Sequence, residues 1–430
     1  DEGDPQGTAG IAGRVQPPDG NHLEESGGDG GMKWEKVKLG ELYEVHNGLS
    51  KAGKFFGEGY PFLTFSTVFN NYFIPKQITD LVQSTEKEQE SYSIRRGDVF
   101  VTRTSETSDE LGMSCVALKD YPMATYNGFT KRMRPITNRV FPEYIGYYMR
   151  LPSFRGEFRA FSTMTTRASL RNEDLLGLEV KLPSIEIQKQ IADILSAYDD
   201  LIENNQKKIK LLEEAAQRLY KEWFVDLRFP GHENTKIVDG VPEGWSKSAV
   251  GNICKLRKVV ITPDKIESNT PYIGLEHMPR NDICLSTWGK SEEINSNKFI
   301  YLKKDVLFGK IRPYFHKVGF ALNDGITSTD TMVMVADQNL WGLLLVTVSS
   351  DAFVDFSYQN CKEGAKMPRA DWKQMEKYAI MIADQATQKL FEQEILVITN
   401  KISTLAFQCR SLREARDRML PKLMGGEVEV

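Results

Sequence analysis

Two stretches of this 430-residue chain have apolar residues at alternating steps of three and four, the spacing of a coiled-coil seam. The spacing predicts long helices over residues 183–229 and 381–425 that pair with each other, with polar Asn205 and Arg416 fixing their register. In an alternative interpretation, each stripe packs only on its own globule, as in an ordinary amphipathic helix. The predicted seam comprises Ile191, Ile194, Tyr198, Leu201, Asn205, Ile209, Leu212 and Leu219 of the first stretch and Ile395, Ile398, Ile402, Leu405, Leu412 and Met419 of the second.

The segments before the two helices, residues 32–182 and 230–380, have a different pattern. Short β-rich runs such as 98–102 and 331–335 alternate with Gly and Asn turns and with short helical stretches. This mixture predicts two globules of the α+β class, each followed by one long helix. Residues 1–31, which are rich in Gly, Asp and Pro, predict a disordered leader or an artefact, and 426–430 form a short tail.

The two halves of the chain repeat each other in the same order. Trp34 and Gly40 recur 211 positions later as Trp245 and Gly251, and Leu212 recurs 200 positions later as Leu412. Between these points the run 97–100 corresponds to 304–307, and Arg167, Leu170, Asp174-Leu175 and Gln188 correspond, at an offset of about 197, to Lys366, Met367, Asp371-Trp372 and Gln385. A period this long predicts duplicated domains instead of short solenoid repeats.

The duplication has a geometric consequence. A helix of about 40 residues is roughly 60 Å long at 1.5 Å per residue. The first helix leads from globule one to globule two, so a second helix that pairs with it must run back antiparallel and bring the C-terminus to globule one. The predicted architecture is a two-headed rod with approximate two-fold symmetry.

The composition offers no catalytic residue, metal site or cofactor site. The five cysteines have no C-x-x-C pairing, the five histidines lack zinc-binding spacing, and no glycine-rich nucleotide motif or Asn-Pro dipeptide of an amino-methyltransferase occurs. No run of about 18 apolar residues and no signal peptide is present, so we expect a cytoplasmic, non-catalytic protein.

Basic residues are concentrated in two stretches, although the net charge of the chain is −4. Residues 131–171 have nine Lys or Arg against two acids, and 298–317 have six against one. Such concentrations favour an anionic partner, and Arg can both bind phosphates and read guanine edges. The candidate DNA-binding residues are Arg103, Thr104, Ser105, Lys131, Arg132, Thr165, Thr166, Arg167, Lys310, Arg312, Tyr314, His316 and Lys317.

The junction over residues 180–224 resembles the first conserved region of type I restriction-modification specificity subunits. The matching features are Leu182-Pro183, Gln188, Ile191-Ala192, 199–202 and 211–223. The second half departs from this pattern, since Ala379-Ile380 stands where Leu182-Pro183 is expected.

The resemblance implies that each globule reads one half of a bipartite double-stranded DNA target and that the helices set the spacer. It also implies two methyltransferase subunits, which bring S-adenosylmethionine and methylate adenine, and motor-nuclease subunits that use ATP and Mg. The alternative hypothesis is a two-headed protein-interaction scaffold that does not read DNA sequence.

Overall fold

A computed structural model describes residues 34–105, 110–160, 168–292, 294–337, 339–361 and 366–430. The first globule contains eleven described strands, β1–β11, and six described helices, α1–α6. The strands are Glu35–Lys38, Tyr43–Asn47, Phe56–Leu63, Leu81–Val82, Val99–Thr102, Thr104–Ser105, Ser114–Val116, Thr125–Tyr126, Thr130–Pro135, Ala168–Ser169 and Glu179–Leu182. The helices are Leu39–Leu42, Phe65–Asn70, Glu86–Ser91, Pro142–Tyr148, Pro152–Ala160 and Asn172–Gly177.

Helix α7, Ile185–Tyr220, leads to the second globule through a π-helical turn, Lys221–Val225. In the described part of the second globule the strands β12–β24 are Ile237–Val238, Val241–Pro242, Ser246–Ala249, Lys255–Leu256, Val260–Ile261, Tyr272–Ile273, Cys284–Leu285, Lys298–Tyr301, Val306–Gly309, Val318–Ala321, Gly325–Thr327, Thr331–Val335 and Ala379–Ile382. Its helices α8–α11 are Val250–Ile253, Trp341–Val348, Asp351–Gln359 and Trp372–Met375, and helix α12, Gln385–Gly425, follows.

The two globules have the same sheet plan. The main sheet has the order β2-β9-β5-β7 in the first globule and β15-β23-β20-β21-β18 in the second. A separate pair closes each globule, β1 with β11 and β14 with β24, in antiparallel register. The predicted α+β class and internal repeat are confirmed.

The register of the repeat differs from the prediction at one point. Ser184 and Asp384 both accept backbone N–H bonds as the N-caps of α7 and α12. This places the helices 200 residues apart, so the predicted offset of 197 is wrong there and Gln188 corresponds to Gln388. The strands β11 and β24 end at Leu182 and Ile382 and also differ by 200. The helices also begin later than the predicted residues 183 and 381. Pro183 links β11 to α7, and Met381 lies within β24.

The long helices pair antiparallel along their lengths. The amide of Asn205 donates to Gln408 Oε1 at 3.4 Å, and the Cys409 thiol lies 3.7 Å from the Ile202 carbonyl oxygen. Farther along, the Arg416 guanidinium forms an ion pair with Asp199, as expected for a polar seam residue. Because the facing residue numbers rise on one helix and fall on the other, the C-terminus returns to the first globule, where Val428 and Val430 pack.

Both helices complete the core of both globules. Ile191 and Leu195 of α7 and Leu423 of α12 lie in the core of the first globule. Ala216 of α7 and Ile402 of α12 lie in the core of the second. The globules therefore flank opposite halves of the helix pair. On α12, Arg410 lies 4.4 Å from the Trp288 ring of the second globule, and Arg416, only six positions later, lies 5.1 Å from the Tyr72 ring of the first.

Two predicted seam residues do not lie on the seam. Ile194 is 36% exposed and Leu201 is 51% exposed, whereas Leu195 and Ile202 are buried. The predicted phase before the slip was wrong because two adjacent apolar stripes run along this part of α7, and the spacing fits either of them. The other predicted seam positions are buried or half-buried: Ile191, Tyr198, Asn205, Ile209, Leu212, Leu219, Ile395, Ile398, Ile402, Leu405, Leu412 and Met419.

None of the described helices combines the length and the apolar character needed to cross a membrane.

Candidate nucleic-acid interface

The predicted basic residues Arg103 and Lys310 occupy the same place in the two globules, directly after strands β5 and β20. The backbone N–H of Arg103 donates to the Phe129 carbonyl at 2.9 Å, and that of Lys310 donates to the Asp330 carbonyl at 2.8 Å. The carbonyls of Arg103 and Lys310 each accept a bond from a third segment, from Leu170 N–H at 3.0 Å and from Ala370 N–H at 2.9 Å respectively. We call these the first rim (residues 102–105, 127–130 and 168–171) and the second rim (309–312, 328–331 and 366–370).

The first rim exposes an arginine and an aromatic ring. The Arg103 guanidinium forms no hydrogen bond or ion pair with the described part of the chain, and Phe129 beside it is 59% exposed. Thr104 pairs with Ser169 between β6 and β10, which holds this edge of the rim. A guanidinium without a partner in the described residues and an exposed ring on the same rim are suited to contact a phosphate and a base.

Lys131 and Arg132 were predicted to bind DNA, and the structure contradicts this. They are only 4% and 3% exposed, because β9 lies between β2 and β5 and is covered on both faces. Lys131 Nζ donates to the side-chain oxygens of Asn47 and Asn172. Arg132 donates to the Ser93 carbonyl at 2.8 Å. Burial, and then the nearby charge of Arg103, lowers the pKa of Lys131. Lys131 therefore belongs to the interior of the globule, next to the first rim.

The second rim has different side chains in the same frame. Lys310 Nζ donates to the Thr329 carbonyl at 2.6 Å, and burial lowers the pKa of this lysine. Asp330 takes the place of Phe129 and forms an ion pair with Arg369 at 3.1 Å. The two rims therefore share their backbone geometry and present different chemical groups.

A short turn continues the second rim. We call residues 312–316 the aromatic turn: a 3₁₀ turn, Pro313–Phe315, lies between Arg312 and His316, both with φ of 50°. Tyr314 is 47% exposed, and the Phe315 ring lies between two guanidinium groups, 4.0 Å from Arg280 and 5.8 Å from Arg312. The Arg312 Nε is buried without a hydrogen-bond partner in the described part of the chain.

His316 and Lys317 have partners within the globule. The His316 Nε2 lies 2.8 Å from the Ser349 carbonyl oxygen, and Lys317 Nζ donates to the Leu275 carbonyl at 2.5 Å. Burial lowers the pKa of Lys317. These two side chains support the turn. Of the residues predicted in this stretch, Arg312 and Tyr314 remain available to contact DNA.

Sequence reasoning missed Arg280, Phe129 and Arg369. Arg280 is 35 residues from Phe315 in the chain, and only the fold brings them together. Phe129 follows Asn127-Gly128, a turn signal that could have suggested an exposed loop tip. Among the other predicted residues, Thr165, Thr166 and Arg167 lie outside the described residues, as does the side chain of Ser105.

Helix α7 is joined to the aromatic turn. A cavity of about 450 Å³ lies between them, lined by Lys210, Glu213, Glu214, Gln217, Asn281, Asp282, Ile283, His316, Ser349 and Asp351. Lys210 Nζ donates to the Asn281 carbonyl at 3.2 Å, and the Asn281 N–H donates to the His316 carbonyl at 3.1 Å. The turn is therefore positioned relative to the helix pair as well as to its own globule.

Glu213 is the buried carboxyl group of this junction. Its Oε1 accepts the N–H bonds of Ile283 and Cys284 at 2.9 and 3.0 Å, whereas its Oε2 is buried without a partner in the described residues. Burial, followed by the charge of Asp282, raises the pKa of Glu213 to about 7. The folded protein therefore retains a proton here that the unfolded chain loses near pH 4.5.

We expect the stability of the second globule to fall as the pH rises from about 4.5 to about 7, because the folded state binds the extra proton in that window. Glu213→Gln keeps the acceptor oxygen and removes the titration. At pH 8 the variant should be more stable than the wild type by up to about 3 kcal/mol, and at pH 4.5 the two should be equal. Chemical unfolding at both pH values measures this. The neighbouring exposed Glu214→Gln is the control, and an equal pH effect in both variants would contradict the assignment.

Within the described residues, no group of three or more His, Cys, Asp or Glu side chains could hold a metal ion.

Comparisons with known proteins agree on one family. A family model described as "Type I restriction modification DNA specificity domain" matches residues 32–214. The chain is 24% identical to the type I restriction enzyme MjaIX specificity subunit of Methanocaldococcus jannaschii, over 92% of this chain and 94% of that one. It is 26% identical to the HindI specificity subunit of Haemophilus influenzae, over 45% of this chain and 41% of that one.

A solved structure has the same fold. The crystal structure of the type I restriction-modification S subunit from M. genitalium matches with a TM-score of 0.54 and 14% identity, covering 92% of this chain and 97% of that one. At this identity the likeness establishes the fold alone.

Proposed function

We infer that this chain belongs to the family of type I restriction-modification specificity subunits and is the subunit that determines DNA sequence specificity. Each globule reads one half of a bipartite target, and the paired helices set the distance between the halves. The similarity to named specificity subunits extends over nearly the whole chain, and the fold is that of a solved S subunit.

The observation that carries this function is the rim that occurs twice. Two rims with the same backbone frame flank opposite halves of an antiparallel helix pair, so their arrangement suits two sites on one duplex. Their side chains differ, with Arg103 and Phe129 on one and Lys310 and Asp330 on the other. A shared frame with different side chains is what reading two different half-sequences requires.

The chemistry is supplied by partner subunits in this proposal. Two methyltransferase subunits bring S-adenosylmethionine and methylate adenine in each half of the target, and motor-nuclease subunits use ATP and Mg to cleave unmodified DNA. This chain contributes target recognition and the surface on which the methyltransferase subunits assemble.

The exposed apolar stripe of α7 is our candidate for part of that assembly surface. Ile194 and Leu201 lie seven residues apart, two helical turns, and both are exposed. Val397 on α12 is also exposed, at 65%. Exposed apolar side chains on a helix that already has a buried face are suited to a second protein contact.

Replacing Ile194 and Leu201 together by glutamate should weaken capture of the methyltransferase subunit by at least about tenfold, because two charges would be desolvated at the interface. The folded chain should lose little thermal stability, since neither side chain lies in a buried core. Co-purification and calorimetry measure the two effects. The matched control, Ile191→Glu, buries a charge in the core and should destabilise the chain itself. Unchanged capture by the double variant would place the docking surface elsewhere.

Sequencing of methylated adenines in a cell that expresses the complete system tests the function. A split motif with N6-methyladenine in both halves, lost when this gene is deleted, is the expected result. In the purified complex, DNA affinity should depend on sequence and fall steeply with salt. Equal affinity for all duplexes would instead support the two-headed protein scaffold.

A further inference from the structure

The aromatic turn is held from three directions. The Arg312 N–H donates to the Pro368 carbonyl at 2.8 Å, the His316 carbonyl accepts the Asn281 N–H at 3.1 Å, and the His316 ring bonds the Ser349 carbonyl at 2.8 Å. Within the turn, the Phe315 and His316 N–H groups donate to the Arg312 and Pro313 carbonyls, both at 2.8 Å. The backbone of a loop at the globule surface is thus fixed by bonds to three other segments.

The turn also holds two residues in a conformation that they rarely adopt. Arg312 and His316 both have a φ of 50°, in the left-handed region that favours glycine. Such strain persists only where surrounding contacts enforce it, and strained positions are concentrated at binding and catalytic sites. Here the strain reverses the chain on both sides of Pro313–Phe315 and leaves Tyr314 at the middle of the turn.

The side chains of the aromatic turn have different surroundings. His316 is used internally, Phe315 packs between Arg280 and Arg312, and Tyr314 projects with 47% of its surface exposed. The Tyr314 ring is supported by Phe315 and Tyr358, whose centroids lie at 4.9 and 5.2 Å. No hydrogen bond from the Tyr314 hydroxyl to the described part of the chain exists. A supported ring with an unused donor and acceptor group is suited to read a base edge.

We propose that Tyr314 is a specificity-determining residue of the second globule, whose hydroxyl hydrogen-bonds a base edge in the half-site that this globule reads. Arg280 and Arg312, on either side of Phe315, bind backbone phosphates and set the position of the turn on the duplex. This assignment rests on the proposed function, and it selects Tyr314 as the base reader from the larger set of candidate DNA-binding residues that the sequence indicated.

The experiment uses the assembled methyltransferase complex with Tyr314→Phe and Tyr314→Ala, and sequences the methylated adenines each produces. Tyr314→Phe removes only the hydroxyl and should lower discrimination roughly fivefold at one base-pair position of one half-site, the value of a single hydrogen bond. Tyr314→Ala should relax the same position further. The other half-site and the spacer length should not change, and they act as an internal control. Tyr358→Phe removes a hydroxyl from a neighbouring ring of equal exposure but keeps the ring that supports Tyr314, so it should leave the motif as in the wild type.

Three results would overturn the assignment. An unchanged motif with both Tyr314 variants would mean that the side chain reads no base. A relaxed motif with Tyr358→Phe equal to that with Tyr314→Phe would assign the effect to the aromatic patch as a whole. Equal loss of methylation at all sites would indicate general DNA binding. A wild-type complex that methylates no split motif would instead refute the proposed function, so the two failures can be told apart.

Discussion

A variant with seven extra residues in each long helix is expected to fold normally and to lose methylation of its original target. The insertions go between Leu201 and Ile202 of α7 and between Ser411 and Leu412 of α12, which face each other. On α12 this point lies between Arg410, which contacts Trp288 of the second globule, and Arg416, which contacts Tyr72 of the first. The cross-helix pairs on each side of the insertion keep their partners, so the seam stays intact.

The effect of the insertion follows from helix and DNA dimensions. Seven residues lengthen the helix pair by about 10 Å at 1.5 Å per residue, which corresponds to about three base pairs at 3.4 Å each. The globules rotate relative to each other by only about 20°, whereas three base pairs of DNA turn by roughly 100°. We therefore expect methylation of the original spacing to be lost, and slow methylation of a target with the same half-sequences and a gap about three base pairs longer.

A one-sided insertion is the matched control for this prediction. Seven residues in α7 alone cannot satisfy both the Asn205–Gln408 and the Asp199–Arg416 pairs, so the melting temperature should fall. Methylome sequencing measures which target each variant methylates, and thermal unfolding measures its melting temperature. If the double insertion still methylated the original target at the wild-type rate, the helix pair would not set the spacer.

The helices were the part of the fold that could be predicted best. Their apolar spacing, their antiparallel pairing and the return of the C-terminus all follow from the residue pattern. The phase near Ile194 could not be decided, because two apolar stripes lie side by side and one of them faces solvent. Nor does spacing reveal that the globules flank the helices, since that depends on contacts such as Arg410 with Trp288, 122 residues apart in the chain.

The candidate interface shows what a charge count can and cannot predict. Arg103, Lys310 and Arg312 do lie at two corresponding rims, because they come just after the ends of β5 and β20, where the chain leaves the sheet. Lys131 and Arg132 look the same in a count but belong to a central strand, where Lys131 bonds asparagine side chains and Arg132 bonds a backbone carbonyl. Arg280 joins the aromatic turn through tertiary contact alone, so no local pattern could indicate it.

Glu392→Ala should destabilise the second globule by about 3 kcal/mol or more and weaken reading of one half-site. The Glu392 carboxylate on α12 accepts the Gly342 N–H at 2.6 Å and the Leu343 N–H at 3.0 Å, at the start of α9. All eight residues of α9 are buried, so in the alanine variant these two N–H donors would lose the acceptor that the carboxylate supplies. Each buried unsatisfied N–H costs about 1–3 kcal/mol.

The repeat supplies the comparison for this prediction. In the first globule the Gln188 side chain accepts the Phe141 N–H at 2.9 Å at the start of α4, so a neutral amide on α7 has the matching role. Gln388, the counterpart of Gln188, instead donates to Glu392 at 3.1 Å. Burial raises the pKa of Glu392 while its three hydrogen-bond donors lower it. The three donors thus offset part of the rise in pKa that burial causes at this carboxyl group.

Glu392→Gln separates the loss of an acceptor from the loss of packing. The two N–H groups bond different oxygens of Glu392, and the amide replaces one of them by an NH2 group, so it can accept only one of the two bonds. Glu392→Gln should therefore lower the free energy of unfolding, but by less than Glu392→Ala. Unfolding of the full chain in denaturant measures the free energy, and methylome sequencing of the assembled complex measures the reading. The half-site read by the first globule should be retained, because Gln188 and its contacts are untouched. Equal weakening of both half-sites would mean that the globules do not read independently, and a change below about 1 kcal/mol with alanine would show that water reaches the start of α9.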